Sequence, residues 1–152
     1  MTPTPRLIHT GQALVDVLVD VPHLPRQGGN VMATSYTRHA GGAVNILVAA
    51  ARSGGQAVHA GAIGTGPNGD LISTTLAKEG IAMSAARVPD ADTGVCLVLL
   101  DPSAERTFIT TTGAERAVSV DSFGTSSPRP GDVVCVTGYS LALPATRDPL
   151  LA

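Results

Sequence analysis

The sequence predicts an α/β fold, a doubly wound and mainly parallel sheet accompanied by a second, small sheet made of two hairpins. Three observations carry that expectation. Apolar strand-like runs at 6–10, 56–63 and 132–137 alternate with helix-like segments at 43–53 and 70–79, an order that yields parallel pairing. Two further pairs of β-rich runs, within about 12–39 and 95–112, interrupt the alternation and have no place between parallel strands. An apolar helix begins at Pro144, with Leu150 and Leu151, just before the last residue, so the large sheet reads as incomplete. Residues 1–152 together read as one domain or the amino-terminal part of one.

In order, a proline-containing leader precedes Arg6-Leu7-Ile8-His9-Thr10, a short strand ending at Gly11. Residues 14–21 alternate strictly: Val15, Val17, Val19 and Val21 fall on one face, Leu14, Asp16, Leu18 and Asp20 on the other, as in a half-exposed strand. A connector at 22–29 with two prolines and two glycines leads to a Thr- and Tyr-containing strand at 31–39, antiparallel to the one before it. The helix at 43–53 is small or apolar on nearly every face, the pattern of a helix enclosed between layers, and Gly54-Gly55 ends it. After the strand at 56–63, the helix at 70–79 sets Leu71, Ile72, Thr75 and Leu76 on one face, with Gly80 as its C-cap. Residues 81–88 form a weaker strand and 89–92 a turn. The second hairpin pairs 95–100 with 105–111 around Asp101-Pro102-Ser103-Ala104. A surface loop at 125–131 then leads to a buried strand at 132–137 that ends at Gly138-Tyr139.

Composition narrows the function classes. With 152 residues, the chain is long enough to bury a real core, and at 14% charged residues its surface is sparsely charged. A net charge of −2 offers no footprint for nucleic acid or an anionic membrane. No apolar run reaches membrane-spanning length and no basic-then-apolar leader is present, so a soluble, cytoplasmic protein is expected. Cys96 and Cys135 lie in apolar runs and read as free core thiols. His9, His23, His39 and His59 are scattered, with no metal-ligand spacing.

The stretch from His39 to Asp70 carries the densest chemical signal, because two glycine-rich turns bracket one helix and one strand. A glycine turn that opens into a helix lets a ligand approach free backbone N–H groups. The plainer reading of either turn is a tight connection between elements. Asn45 on the first turn fits a ligand contact or a helix cap. The second turn, Gly64-Thr65-Gly66-Pro67-Asn68-Gly69, spells GxGxxG after a strand, with Asp90 about twenty residues on. An NAD-type dinucleotide site using Gly64, Gly66 and Gly69 is therefore an alternative.

Several motifs in order, taken together, resemble the amino-terminal half of the ribokinase-like (PfkB) carbohydrate kinases. They are Gly11 followed five residues later by Asp16, the Gly-Gly turn with Asn45, the glycine turn after Ile63, Thr93-Gly94, Glu105-Arg106-Thr107-Phe108, Gly113-Ala114, and Asp132 through Gly138-Tyr139. The spacing departs in one place, since Ala40 stands where the first glycine of the Gly-Gly-x-x-x-Asn pattern usually falls. Gly138 stands where ribokinases proper carry a glutamate.

The resemblance implies a ribokinase-like α/β domain whose two hairpins form a lid over a small sugar or nucleoside. Asp16, Gly41, Gly42 and Asn45 would hold its hydroxyls, and Phe108 would cover it or pack in the lid. It also implies transfer of the γ-phosphoryl group of ATP with Mg²⁺, and a monovalent cation near the nucleotide. The family's catalytic base lies in a Gly-Ala-Gly-Asp turn that this sequence lacks, so no catalytic residue is assigned here. The stretch alone is expected to be inactive, with the base and nucleotide site beyond Ala152. A third reading is a non-catalytic assembly module, since lids in such kinases pair between subunits and the Val15–Val21 face would suit a homodimer.

Overall fold

The computed structural model describes residues 4–152, so the start of the proline-containing leader lies outside the described residues. In chain order the elements are β1 (Arg6–His9), β2 (Ala13–Asp20), β3 (Ser35–Gly42), α1 (Ala43–Arg52), β4 (Gln56–His59), α2 (Pro67–Lys78), β5 (Ala82–Met83), β6 (Val95–Leu100) and β7 (Arg106–Thr110). A 3-10 turn at Ala114–Arg116 follows, then α3 (Val120–Gly124), β8 (Val133–Cys135), α4 (Gly138–Ala142) and α5 (Pro144–Leu151).

The strands form two sheets. One has the order β5-β4-β1-β8 and is parallel throughout. The other has the order β3-β2-β6-β7: each hairpin is antiparallel, and the two join through a parallel β2–β6 pair. The separate hairpin sheet expected from the sequence is therefore present.

Both sheets contribute to the larger of two buried apolar clusters, the smaller being Ile8, Val58 and Ala60. Ala13, Val15 and Val17 of β2 pack with Val44 and Leu47 of α1, Ile72 and Leu76 of α2, and Ile63. Leu47, Ile72 and Leu76 are fully buried, each stabilising by about 1.5–3 kcal/mol relative to exposure. The alternation read along β2 is thus real, but its valine face is covered by the chain's own helices and is not free for a second copy. At the other end, Arg6 and Asp132 pair at 2.6 Å and tie β1 to the start of β8. That hydrogen bond from Arg6 holds the Asp132 carboxyl well below the usual carboxylate range.

Several boundaries differ from the expectation. β3 begins at Ser35 and runs through Gly41 and Gly42, because these glycines still pair with Leu14 and Ala13 of β2. The strand expected at 56–63 stops at His59, and the one at 81–88 contracts to Ala82–Met83 plus an isolated bridge between Gly64 and Val88. Helix α3 forms ahead of the loop at 125–131, where the sequence predicts no element; Ser119 and Ser122 cap it reciprocally, side chain to backbone. Residues 132–137 are not a buried strand. β8 is three residues at a sheet edge, with Val133 61% and Val134 47% exposed, since β1 flanks it on one side only. Helix α1 is not enclosed all round either: Ala43, Val44 and Leu47 are buried while Asn45, Ile46 and Ala49 are exposed. Cys96 and Cys135 are free thiols, as expected, but half-buried rather than core.

Candidate active site

A cleft of about 460 Å³ opens where three things meet: the hairpin sheet, the start of α1, and the C-terminal ends of β1 and β8. Ligands of open α/β sheets bind at such strand ends, where loops rather than ladder bonds occupy the backbone. Strand register explains the roof. His39, Asp16, Cys96 and Thr110 stand opposite one another across β3, β2, β6 and β7, so their side chains share one face. Leu18, Val98 and Phe108 form the next row. Asp16, Cys96, Thr110 and Phe108 all line the cleft.

Asp16 is the only carboxylate in the cleft wall among the described residues. Burial pushes its carboxyl up from the ordinary value, and the nearby His39 partly opposes that. No hydrogen-bond partner within the described residues satisfies it, so its acceptor capacity is directed at whatever enters. Gly41 backs this carboxylate so closely that any Cβ there would overlap it. Gly42 serves another purpose: it caps α1 with φ +61° and ψ −125°, and a Cβ would sit 2.5 Å from the Gln12 carbonyl oxygen. That carbonyl accepts from Ala43 N–H at 2.9 Å and fixes the entry angle of the helix.

The structure therefore brings Asp16, Gly42 and Phe108 to one cleft, with Gly41 behind Asp16. Asn45 occupies the first turn of α1, exposed, with Ala43 and Ile46 beside it in the cleft wall, but is not itself in that wall. It does not cap the helix, since Gly42 holds that place without a side-chain hydrogen bond.

Sequence reasoning missed three cleft residues. Gln12 donates to Ser140 Oγ at 3.2 Å and joins the floor to α4. His9 accepts from Gly11 N–H on Nδ1 at 3.0 Å, so the neutral ring carries its proton on Nε2. Burial lowers the pKa of His9, which keeps the ring neutral, and Nε2 has no partner among the described residues. Arg116, from the 3-10 turn, also lines the cleft with Nε and Nη1 buried and unpartnered. Arg116 stands two residues after the Gly113-Ala114 motif, and nothing in that spacing marks its guanidinium as a cleft group.

The second glycine turn has a different fate. Both oxygens of Asp92 occupy the mouth of α2, accepting from Asn68 N–H at 3.1 Å and Gly69 N–H at 2.9 Å, and also from Thr93 N–H at 2.8 Å. Burial alone would raise the Asp92 carboxyl, yet these N–H groups and the Arg38 charge hold it below its ordinary value. A pyrophosphate would need the very N–H groups that Asp92 fills. Asp90, the acidic residue about twenty positions on in the dinucleotide reading, is an exposed turn residue with φ 57°. The NAD alternative through Gly64, Gly66 and Gly69 is corrected on these grounds.

No group of three or more His, Cys, Asp or Glu converges as metal ligands among the described residues, and no helix there is long and apolar enough to cross a membrane.

A parallel α/β sheet, a four-stranded second sheet and an acid-bearing cleft between them define an α/β domain of the two-sheet kind. Residues 5–151 match the pfkB family of carbohydrate kinases, and the chain belongs to that family. It is 34% identical over 135 residues to the uncharacterized sugar kinase YegV of Escherichia coli strain K12, covering 88% of this chain and 42% of that protein. The crystal structure of ribokinase from Cryptococcus neoformans var. grubii serotype A in complex with ADP aligns with a TM-score of 0.61 at 29% identity, covering 73% of this chain and 35% of that one. Fructokinase from Xylella fastidiosa aligns with a TM-score of 0.65 at 28% identity, over 82% and 39% of the two chains. The chain thus spans about 42% of the length of that curated relative.

Proposed function

We propose that the protein transfers the γ-phosphoryl group of ATP to a hydroxyl of a small carbohydrate or nucleoside, and that this stretch holds the acceptor. The observation that carries the reading is Asp16, a desolvated carboxylate without a partner, fixed over a cleft between the hairpin sheet and the mouth of α1. An ionised carboxylate accepts from two adjacent hydroxyls at once, which is how a polyol is oriented. Gly41 leaves room for that carboxylate, Gly42 lets the acceptor approach backbone, Phe108 covers it from the roof, and Asn45, exposed beside the cleft wall on the first turn of α1, would have to turn inward to contact it. Closing the hairpin sheet over the acceptor excludes water, which matters because phosphoryl transfer rests on positioning and charge stabilisation.

ATP, Mg²⁺ and a monovalent cation belong to the same reading, supported by family membership and by the ADP of the Cryptococcus ribokinase. When bound, Mg²⁺ neutralises charge on the phosphates; residues outside this stretch, together with the catalytic base, would hold it. Residues 1–152 are then the acceptor-binding part of one domain, without turnover on their own, in a cytoplasmic enzyme. Homodimers would pair through the exposed edge strands β3 and β7.

The test is acceptor-dependent ADP release by the full-length gene product. Asp16→Asn should lower kcat/KM for the acceptor by about 100-fold, the scale of a lost charged hydrogen-bond pair, while leaving the melting temperature unchanged or slightly raised. An Asp16→Asn enzyme with parental kcat/KM would overturn the assignment.

A further inference from the structure

We propose that the acceptor carries an acidic group, a carboxylate or a phosphate, and that Arg116 is the residue that selects it. This deepens the kinase reading of the cleft and rests on it.

Arg116 is an unusual arginine for a cleft wall. Its guanidinium is always charged, yet Nε and Nη1 are buried and donate to nothing among the described residues. The nearest carboxylate is Glu115, whose Oε1 lies 3.9 Å from Nε, beyond hydrogen-bond reach. Glu115 is already committed: Oε2 accepts from Gly94 N–H at 2.8 Å and Oε1 from Gly113 N–H at 2.9 Å. With 1% of its surface exposed, Glu115 is a buried strut that fixes the 3-10 turn and thereby aims its neighbour. Buried donors on a charged group are costly to leave unpaired, so the arrangement is complete only when an acceptor arrives.

A second, independent observation points the same way. His9 is fully buried and lines the same cleft, and its Nε2–H also lacks an acceptor. Two walls thus present unpaired donors. Asp16, the one carboxylate in the cleft among the described residues, is suited to hydroxyl donors. A neutral polyol would satisfy Asp16 and leave the guanidinium short of acceptors. A polyol ending in an oxyanion satisfies both, since a guanidinium takes two oxygens of a carboxylate or phosphate through parallel bonds.

The experiment compares matched acceptors on the full-length gene product: glucose and ribose, the aldonates gluconate and ribonate, and glucose 1-phosphate and ribose 5-phosphate. The expected result is an acidic acceptor favoured at least tenfold in kcat/KM over its neutral parent. Arg116→Gln should erase that preference by raising KM for the acidic acceptor about 10- to 100-fold, with KM for ATP unchanged. Arg116→Lys should recover part of it, and both variants should melt near the parent. Whether aldonates or sugar phosphates lead identifies the oxyanion. A neutral sugar as best acceptor, with KM unmoved by Arg116→Gln, would overturn the proposal and leave the kinase reading standing. A rise in KM for ATP alone would also overturn it, by assigning Arg116 to the nucleotide phosphates. Absence of turnover with every acceptor would overturn both.

Discussion

The two glycine turns look alike in the sequence and behave oppositely in the fold. At the first, α1 begins after Gly42 with no side-chain cap and no acidic residue in its first turn, and Gly42 and Ala43 stand in the cleft wall. At the second, α2 begins after Gly66 with its free N–H groups already taken by Asp92. The turn with the better motif is the plugged one. Glycines specify where the backbone goes; whether a ligand is wanted there depends on whether the chain supplies its own acceptor.

Ranked by effect on stability, Gly42→Ala should do the most damage. The backbone at Gly42 has φ +61° and ψ −125°, and a Cβ would meet the Gln12 carbonyl oxygen at 2.5 Å. Strain and clash together should cost about 3 kcal/mol or more, read as a fall of roughly 6–12 °C in Tm. Asp92→Ala comes next. It strips three N–H groups of a charged acceptor, a loss on the order of 2–3 kcal/mol. Inorganic phosphate should raise the Tm of this variant more than that of the parent, because the α2 mouth then needs an anion. A variant that melts like the parent would show that the plug is ornamental and the comparison empty.

The strands beneath the two turns end in a histidine pair, His9 on β1 and His59 on β4. His59 is fully buried, and desolvation, aided by the neighbouring His9, lowers its pKa to about 3. The unfolded chain therefore takes up a proton near pH 6.5 that the folded one refuses. Stability is fully present above pH 6.5 and declines below it, at about 1.4 kcal/mol per pH unit. Between pH 6.5 and 5 the loss should be about 2 kcal/mol from His59, with His9 adding in the same direction. Thermal melts across that range should show it, and His59→Phe should flatten the slope. Equal slopes for parent and variant would remove His59 as the source.

What was legible in the sequence follows from the same physics. The valine alternation of β2, the paired hairpins and the Ile72/Leu76 face of α2 were readable because local periodicity reports burial directly. The parallel join of β2 to β6 was not, since it depends on residues about eighty apart. Asp16 was found through motif order, and the cleft then placed it with Phe108 and Gly42. Arg116 and His9 escaped because a missing hydrogen-bond partner is a property of three-dimensional surroundings and leaves no trace in spacing. Asp92 escaped likewise: nothing in a turn residue announces that it will fold back onto a helix mouth 23 residues earlier.

The smallest expected effect on stability separates the two adjacent glycines most sharply. Gly41 lacks the left-handed backbone of Gly42, so alanine is conformationally acceptable there. The obstacle is the Asp16 carboxylate, which an alanine Cβ would overlap. That carboxylate is the free end of a side chain in an open cleft and can rotate away, at a cost of under about 1 kcal/mol for an off-rotamer shift. Gly41→Ala should therefore fold and melt like the parent while losing acceptor affinity to much the same extent as Asp16→Asn. The double variant should be no weaker than either single one, because both act on one oxygen pair. Additive losses would instead mean that Gly41 meets the ligand through its own backbone, and the division of labour between the neighbouring glycines would have to be redrawn.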